Sequence, residues 1–216
     1  MRHFILTFIL MTSLSNLFAQ ESDGTKPNPL TTHPVAKVLK LKGKVTMNGK
    51  PVALGSIISE RGLLETSEKS LVVLTIEKWN NGLTLGPNSK MNLQFDSDKK
   101  YVLESGLCRW KTKVKNLVKE NETPAKGKLF TKNVSMGIRG TDFYISFNPV
   151  FGETEIVMFE GEVMMENAEN TDNKIIVKSG EWGGLGGRFG KVLNPPLTLP
   201  ADILQSFSKA VEEPKL

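Results

Sequence analysis

The sequence predicts an all-β domain of short strands, a sandwich, barrel or solenoid, with one short α-helix at its C-terminus. Two observations carry this. Apolar and polar residues alternate at a period of two through much of the 216-residue chain, the spacing of strands with one wet face. Turn signals separate these runs at intervals of roughly 8–12 residues, and 19 glycines with 11 dispersed prolines favour short strands over long helices.

The first residues read as an export signal spanning 1–19. Arg2 and His3 make a positive start, the run from Phe4 to Met11 is interrupted only by Thr7, and Ala19 offers a small residue for cleavage. Thr12, Ser13, Ser15 and Asn16 cut the apolar run short of the ~20 residues a membrane-spanning helix needs. Export to the periplasm, or secretion, is therefore expected, with no transmembrane span in the mature chain. Residues 20–34 are polar and carry Pro27, Pro29 and Pro34, which reads as a flexible linker.

The β domain is expected over 35–192. Leu39, Leu41, Val45 and Met47 alternate with Lys40, Lys42, Lys44 and Thr46 as one strand, closed by the hairpin pair Asn48-Gly49. Further strands follow at Leu71–Ile76, Leu83–Leu85, Met91–Phe95, Tyr101–Leu103 and Phe143–Phe147. Ile156–Met165 is broken at Gly161, and Ile175–Val177 ends the series. Cys108 is the only cysteine, so no internal disulfide can form, and between Leu107 and Trp110 it reads as a small buried hydrophobe. Lys111–Lys128 is lysine-rich and poorly periodic, the pattern of a long loop or protruding hairpin. Gly183–Gly190 lacks the Gly-Lys-Ser/Thr ending of a phosphate loop and reads as a flexible turn. Residues 193–216 supply a proline-rich linker and a helix opened by Pro200. Ile203, Leu204, Phe207, Ala210 and Val211 share one face of that helix, which must dock on the β domain to persist.

An ordered series of motifs resembles the FecR-like domain family. It begins with Gly43-Lys44-Val45 and continues through Leu54-Gly55, Leu63–Thr66 and Ser70–Ile76. Leu83-Thr84-Leu85-Gly86-Pro87-Asn88-Ser89 is similar to the family's L-x-L-x-P-x-S step, and Leu103-Glu104-Ser105-Gly106 follows it. Gly137-Ile138-Arg139-Gly140-Thr141-Asp142-Phe143 resembles the hallmark G-x-R-G-T-x-F. Phe159–Val163 and Val177–Glu181 look like the closing steps. The resemblance implies an extracytoplasmic β-solenoid-like or sandwich-like module of short antiparallel strands, whose best-known relatives sense an occupied outer-membrane transporter and control a sigma factor. Those relatives carry a cytoplasmic helical segment and a membrane span. This chain, with an export signal in that place, looks like an exported single-domain member.

In the hallmark, Gly137 and Gly140 are expected to bracket a tight bend at Arg139. That guanidinium could tie turn carbonyls or a carboxylate such as Glu104 or Glu160. Thr141 is expected to satisfy neighbouring backbone groups and Phe143 to fill the core, so the motif reads as structural. Trp110 with Lys111, Lys113, Lys115 and Lys119 forms a candidate binding surface for an anionic partner, the indole stacking on a sugar ring or a base. The net charge of +5, which falls by one when Arg2 leaves with the signal, suits that attraction without naming a ligand. Asn133-Val134-Ser135 and Asn121-Glu122-Thr123 match a glycosylation pattern short enough to arise by chance.

Enzyme chemistry is not expected. Beyond the signal the only histidine is His33, in the linker, so the domain has no imidazole base for a nucleophile and no His/Cys cluster for a metal. No catalytic residue, metal or cofactor is expected. Asp142, Glu160 and Glu162 leave one alternative, a carboxylate-dependent cell-wall hydrolase. The expected role is a non-enzymatic binding or scaffold module in the bacterial cell envelope, its partner an envelope protein or an anionic envelope polymer rather than nucleic acid. A periplasmic sensor or signalling component acting through a membrane partner or transporter is the other expectation.

Overall fold

The computed structural model describes residues 36–76, 81–95, 100–112, 127–138 and 140–210, with side chains to Phe207. The export signal, the linker, residues 113–126 with Lys113, Lys115, Lys119 and the Asn121 glycosylation pattern, Arg139 and the tail with Val211 lie outside the described residues.

Among the described residues seventeen strands form one open hydrogen-bonded network. The first eight are β1 (Ala36–Lys42), β2 (Val45–Met47), β3 (Lys50–Pro51), β4 (Ile57–Ile58), β5 (Gly62–Thr66), β6 (Leu71–Ile76), β7 (Asn81–Leu85) and β8 (Lys90–Leu93). The long β9 (Lys100–Thr112) follows, then β10 (Gly127–Phe130), β11 (Val134–Ile138), β12 (Asp142–Asn148) and β13 (Glu153–Glu160). The last are β14 (Glu162–Asn167), β15 (Lys174–Lys178), β16 (Glu181–Leu185) and β17 (Leu197–Thr198), before α1 (Ala201–Ala210).

The chain passes back and forth between two sheets. One has the order β4-β1-β6-β7-β9-β12-β13-β16-β17. The other runs β3-β2-β5-β8-β9-β10-β11-β14-β15. Strand β9 belongs to both: its first half pairs with β8 and β10, its second half with β7 and β12. The bend between the halves falls at Gly106, whose φ of +86° favours a residue without a side chain.

Both sheets contribute to one core. Trp110, Phe143 and Ile145 come from the first, Tyr101, Leu129 and Val163 from the second, all at most 1% exposed. The Tyr101 and Trp110 rings meet at 4.9 Å across the interior. Burying a side chain such as Phe143 contributes about 3 kcal/mol, so the expected core role of that residue holds. Cys108 is also fully buried, and desolvation pushes its thiol pKa well above the usual range.

Three expectations are corrected here. Leu39–Met47 is two strands rather than one, because Gly43 at φ +72° turns the chain from the first sheet into the second. A register shift between Val38 and Lys40 also leaves Leu39 43% exposed while Val38 is buried. Second, Gly183–Leu185 is the end of a paired strand, β16, and only the residues after it turn. Gly137, finally, lies in β11 opposite Met164, with open space where a Cβ would sit; of the two bracketing glycines only Gly140 takes positive φ, at +63°.

The predicted helix is present and docks through Leu204 and Phe207. These cover Tyr144 and Val157 on the outer face of the first sheet, with the Tyr144 and Phe207 rings 5.6 Å apart. Ile203, expected on the docking face, is 42% exposed. No helix among the described residues is long and apolar enough to cross a membrane.

Candidate functional site on the outer face of the first sheet

The ordered motif residues gather at the corners where the chain changes sheets. Gly43 lies between β1 and β2, Ser70 between β5 and β6, and Ser89 between β7 and β8; Gly106 bends β9. Gly140, Gly161 and Gly180 serve the later crossings, with φ of +63°, +82° and +83°. Serine hydroxyls lock the early corners: Ser70 Oγ accepts from Lys44 N at 2.8 Å and Ser89 Oγ from Leu107 N at 2.9 Å. These bonds satisfy backbone donors that the crossing removes from the ladders.

The hallmark segment joins β11 to β12. The Thr141 carbonyl accepts from Thr112 N at 2.9 Å, which ties the corner to the end of β9. The Thr141 hydroxyl, expected to satisfy the backbone, is buried with no hydrogen-bond partner among the described residues. Arg109 supplies the guanidinium seen at this corner. Its Nε and Nη2 grip Asp142 Oδ1 and Oδ2 at 2.8 and 3.0 Å, Lys111 Nζ approaches Oδ2 at 3.1 Å, and the guanidinium lies 4.8 Å from the Phe159 ring centroid. The Asp142 side chain is 6% exposed, so the paired cations compensate a carboxylate withdrawn from water. Glu160 and Glu162, considered with Asp142 for acid chemistry, are exposed.

The candidate surface at Trp110 and the lysine-rich stretch is corrected at the residues described. Trp110 pairs in register with Phe143 and points into the core at 1% exposure, so its indole is closed to a ligand. Its alternation with buried Cys108 carries this signal, since residues two apart share a face. Lys111 is half exposed, but its charge is engaged by Asp142.

The outer face of the first sheet holds a second group of residues that sequence reasoning did not single out. Glu155 on β13, 8% exposed, is the centre. Its carboxylate accepts from Trp182 Nε1 at 2.6 Å and Ser146 Oγ at 3.1 Å, and pairs with Arg188 Nη2 at 2.9 Å. Glu153 accepts from Arg188 N at 2.8 Å. The Arg188 guanidinium stands 5.5 Å from the Trp182 ring centroid and 5.2 Å from that of Phe189, and these rings meet edge to face at 5.0 Å. Glycines make this possible. A Cβ on Gly184 would lie 2.7 Å from the Phe189 ring, and one on Gly186 would strike the Gly152 carbonyl. Beside the rings lies a cleft of about 290 Å³, floored by Gly183 and Gly184 and rimmed by Asn194, Pro195 and Leu197.

Asn133, in one of the glycosylation patterns, donates its amide to the Gly152 and Leu185 carbonyls at 2.7 and 3.2 Å, a structural role. Groups of three or more His, Cys, Asp or Glu side chains able to hold a metal ion do not occur among the described residues.

No protein-family model and no curated protein matches this chain. The fold is similar to those of two crystal structures from Parabacteroides distasonis, at 2.50 and 1.65 Å resolution, each described as a candidate anti-sigma factor. The first match has a TM-score of 0.53 at 12% identity and covers 68% of this chain and 64% of the other. The second has a TM-score of 0.52 at 12% identity, covering 67% and 63%.

Proposed function

We propose that this chain is an exported, non-enzymatic FecR-like protein that serves as a binding or scaffold module in the bacterial cell envelope. The observation carrying this reading is the placement of the ordered FecR-like steps at the crossings between sheets, from Gly43 to Gly180. The motif then builds a rigid platform, and recognition falls to the platform's surfaces. Commitment of Asp142 to Arg109 and Lys111 supports binding over carboxylate catalysis.

The test is in-cell crosslinking of the tagged full chain, with fractionation to locate it. A specific envelope partner recovered from the periplasmic fraction is expected. Cytoplasmic retention, or a zymogram band abolished by Glu160→Gln, would overturn the proposal. The two structures described as a candidate anti-sigma factor favour a regulatory version, in which the module acts through a membrane partner or transporter. A sigma-dependent reporter that responds to deletion of the chain would select that version over a passive scaffold.

A further inference from the structure

We infer that the cleft beside β16 binds one neutral pyranose unit of a glycan, an inference that rests on the proposed binding role and names a ligand class for it. Its walls are the Trp182 and Phe189 rings, inclined at 62°. Trp182 is fixed before any ligand arrives, because its indole N–H is bonded to Glu155 and it packs against the Tyr144 and Val157 cluster. A ring already held in place loses little conformational freedom on binding. The C–H face of a pyranose packs on such a ring, beside the backbone of Gly183 and Gly184.

The rim suits hydroxyl groups, which both donate and accept. Arg188 lines the cleft and supplies donors. Asn194 gives its amide nitrogen to the Phe189 and Val192 carbonyls, which leaves its side-chain oxygen as an acceptor. Charge selects among sugars. Arg188 is the one charged residue on the lining, and Glu153 and Glu155 behind it engage its guanidinium, so the cleft offers no unpaired cation to uronic or phosphorylated units. Size selects against a peptide. At about 290 Å³ the cleft is at the small end for ligand sites, whereas an extended peptide needs a series of side-chain pockets along a strand.

The experiment is calorimetric titration of the folded full chain with cellotriose, chitotriose and maltotriose as neutral probes. Trigalacturonic acid is the anionic control and a proline-rich decapeptide the peptide control. Saturable binding of at least one neutral trisaccharide is expected, with trigalacturonic acid weaker. Phe189→Ala, which removes the half-buried second wall, should weaken that binding about tenfold in a chain whose circular dichroism still shows the folded β domain. Trp182→Phe keeps an aromatic wall, loses the anchor to Glu155, and should weaken binding less.

No saturation by any neutral probe, binding indifferent to Phe189→Ala, or preference for the acidic sugar or the peptide would each overturn the inference. The two levels fail separately. A crosslinked partner recovered alongside a blank titration would sink the cleft alone. Release of new reducing ends from a bound glycan would sink the non-enzymatic reading while the site stands.

Discussion

In the first half of the sandwich a corner glycine rests against a serine hydroxyl; in the second half it rests against the carbonyl of another glycine. A Cβ on Gly43 would fall 2.3 Å from Ser70 Oγ, and one on Gly106 would fall 2.2 Å from Ser89 Oγ. On Gly161 the obstacle is the Gly140 carbonyl oxygen at 2.9 Å, with Thr141 Cγ2 at 3.2 Å. The early corners are thus keyed by a side chain, whose hydroxyl also receives a backbone N–H from the neighbouring turn. The hallmark corner is keyed by backbone contact and braced by the buried Arg109–Asp142 pair. One bending problem has two solutions, and they should respond differently to substitution.

The largest effect is expected from Gly106→Ala. The new methyl meets left-handed strain and overlaps Ser89, whose Cα and Cβ both stand only 2.6 Å away. Together these should cost about 4 kcal/mol, read as a lower midpoint in urea unfolding. A loss no greater than that of an unobstructed glycine would show that the serine yields freely and that the keyed corner is not tight.

Next is the ionic brace. Arg109→Met removes the bidentate partner and leaves Asp142, 6% exposed, with Lys111 alone. A loss of about 3 kcal/mol is expected. Arg109→Met combined with Asp142→Leu should recover part of it, because no unpaired buried carboxylate remains. Equal losses in the single and double variants would mean that packing over Phe159, rather than charge, holds this corner.

The two corners were legible in the sequence to different depths. Asn48-Gly49 announces its turn, and both residues take positive φ, at 51° and 75°. Phe143 and Cys108 lie in alternating runs and are buried as that alternation requires. The corner at Gly43 was hidden because polar–apolar alternation continues across it, so a change of sheet leaves no break in the pattern. Trp110 was legible in principle, being two residues from Cys108, but adjacent lysines suggested a surface. The group at Glu155, Trp182 and Arg188 was not legible. It joins residues brought together by the pairing of β13 with β16 and by the turn at Gly187–Phe189, inside a glycine-rich stretch that resembles a loop.

Gly161→Ala and Gly180→Ala form a matched pair, since their φ values are +82° and +83° but only Gly161 has a neighbour within reach of the added methyl. Gly180→Ala should therefore cost about 1 kcal/mol, the backbone term alone. Gly161→Ala should cost about 2 kcal/mol, the excess measuring how far the Gly140 carbonyl can retreat. Equal midpoints for the two in urea would remove the second kind of corner as a distinct device.

The smallest effect, and the only stabilising one, is expected from Gly137→Ala. Gly137 belongs to the hallmark, yet it lies in β11 with φ outside the left-handed region and nothing within 4 Å of an added Cβ. Alanine there restricts the unfolded chain and obstructs nothing in the folded one, a gain of about 0.5 kcal/mol and a rise in melting temperature of roughly 1–2 °C. A loss of more than about 1 kcal/mol would return Gly137 to the tight bend around Arg139 and extend the backbone-keyed corner one residue pair further into the strand.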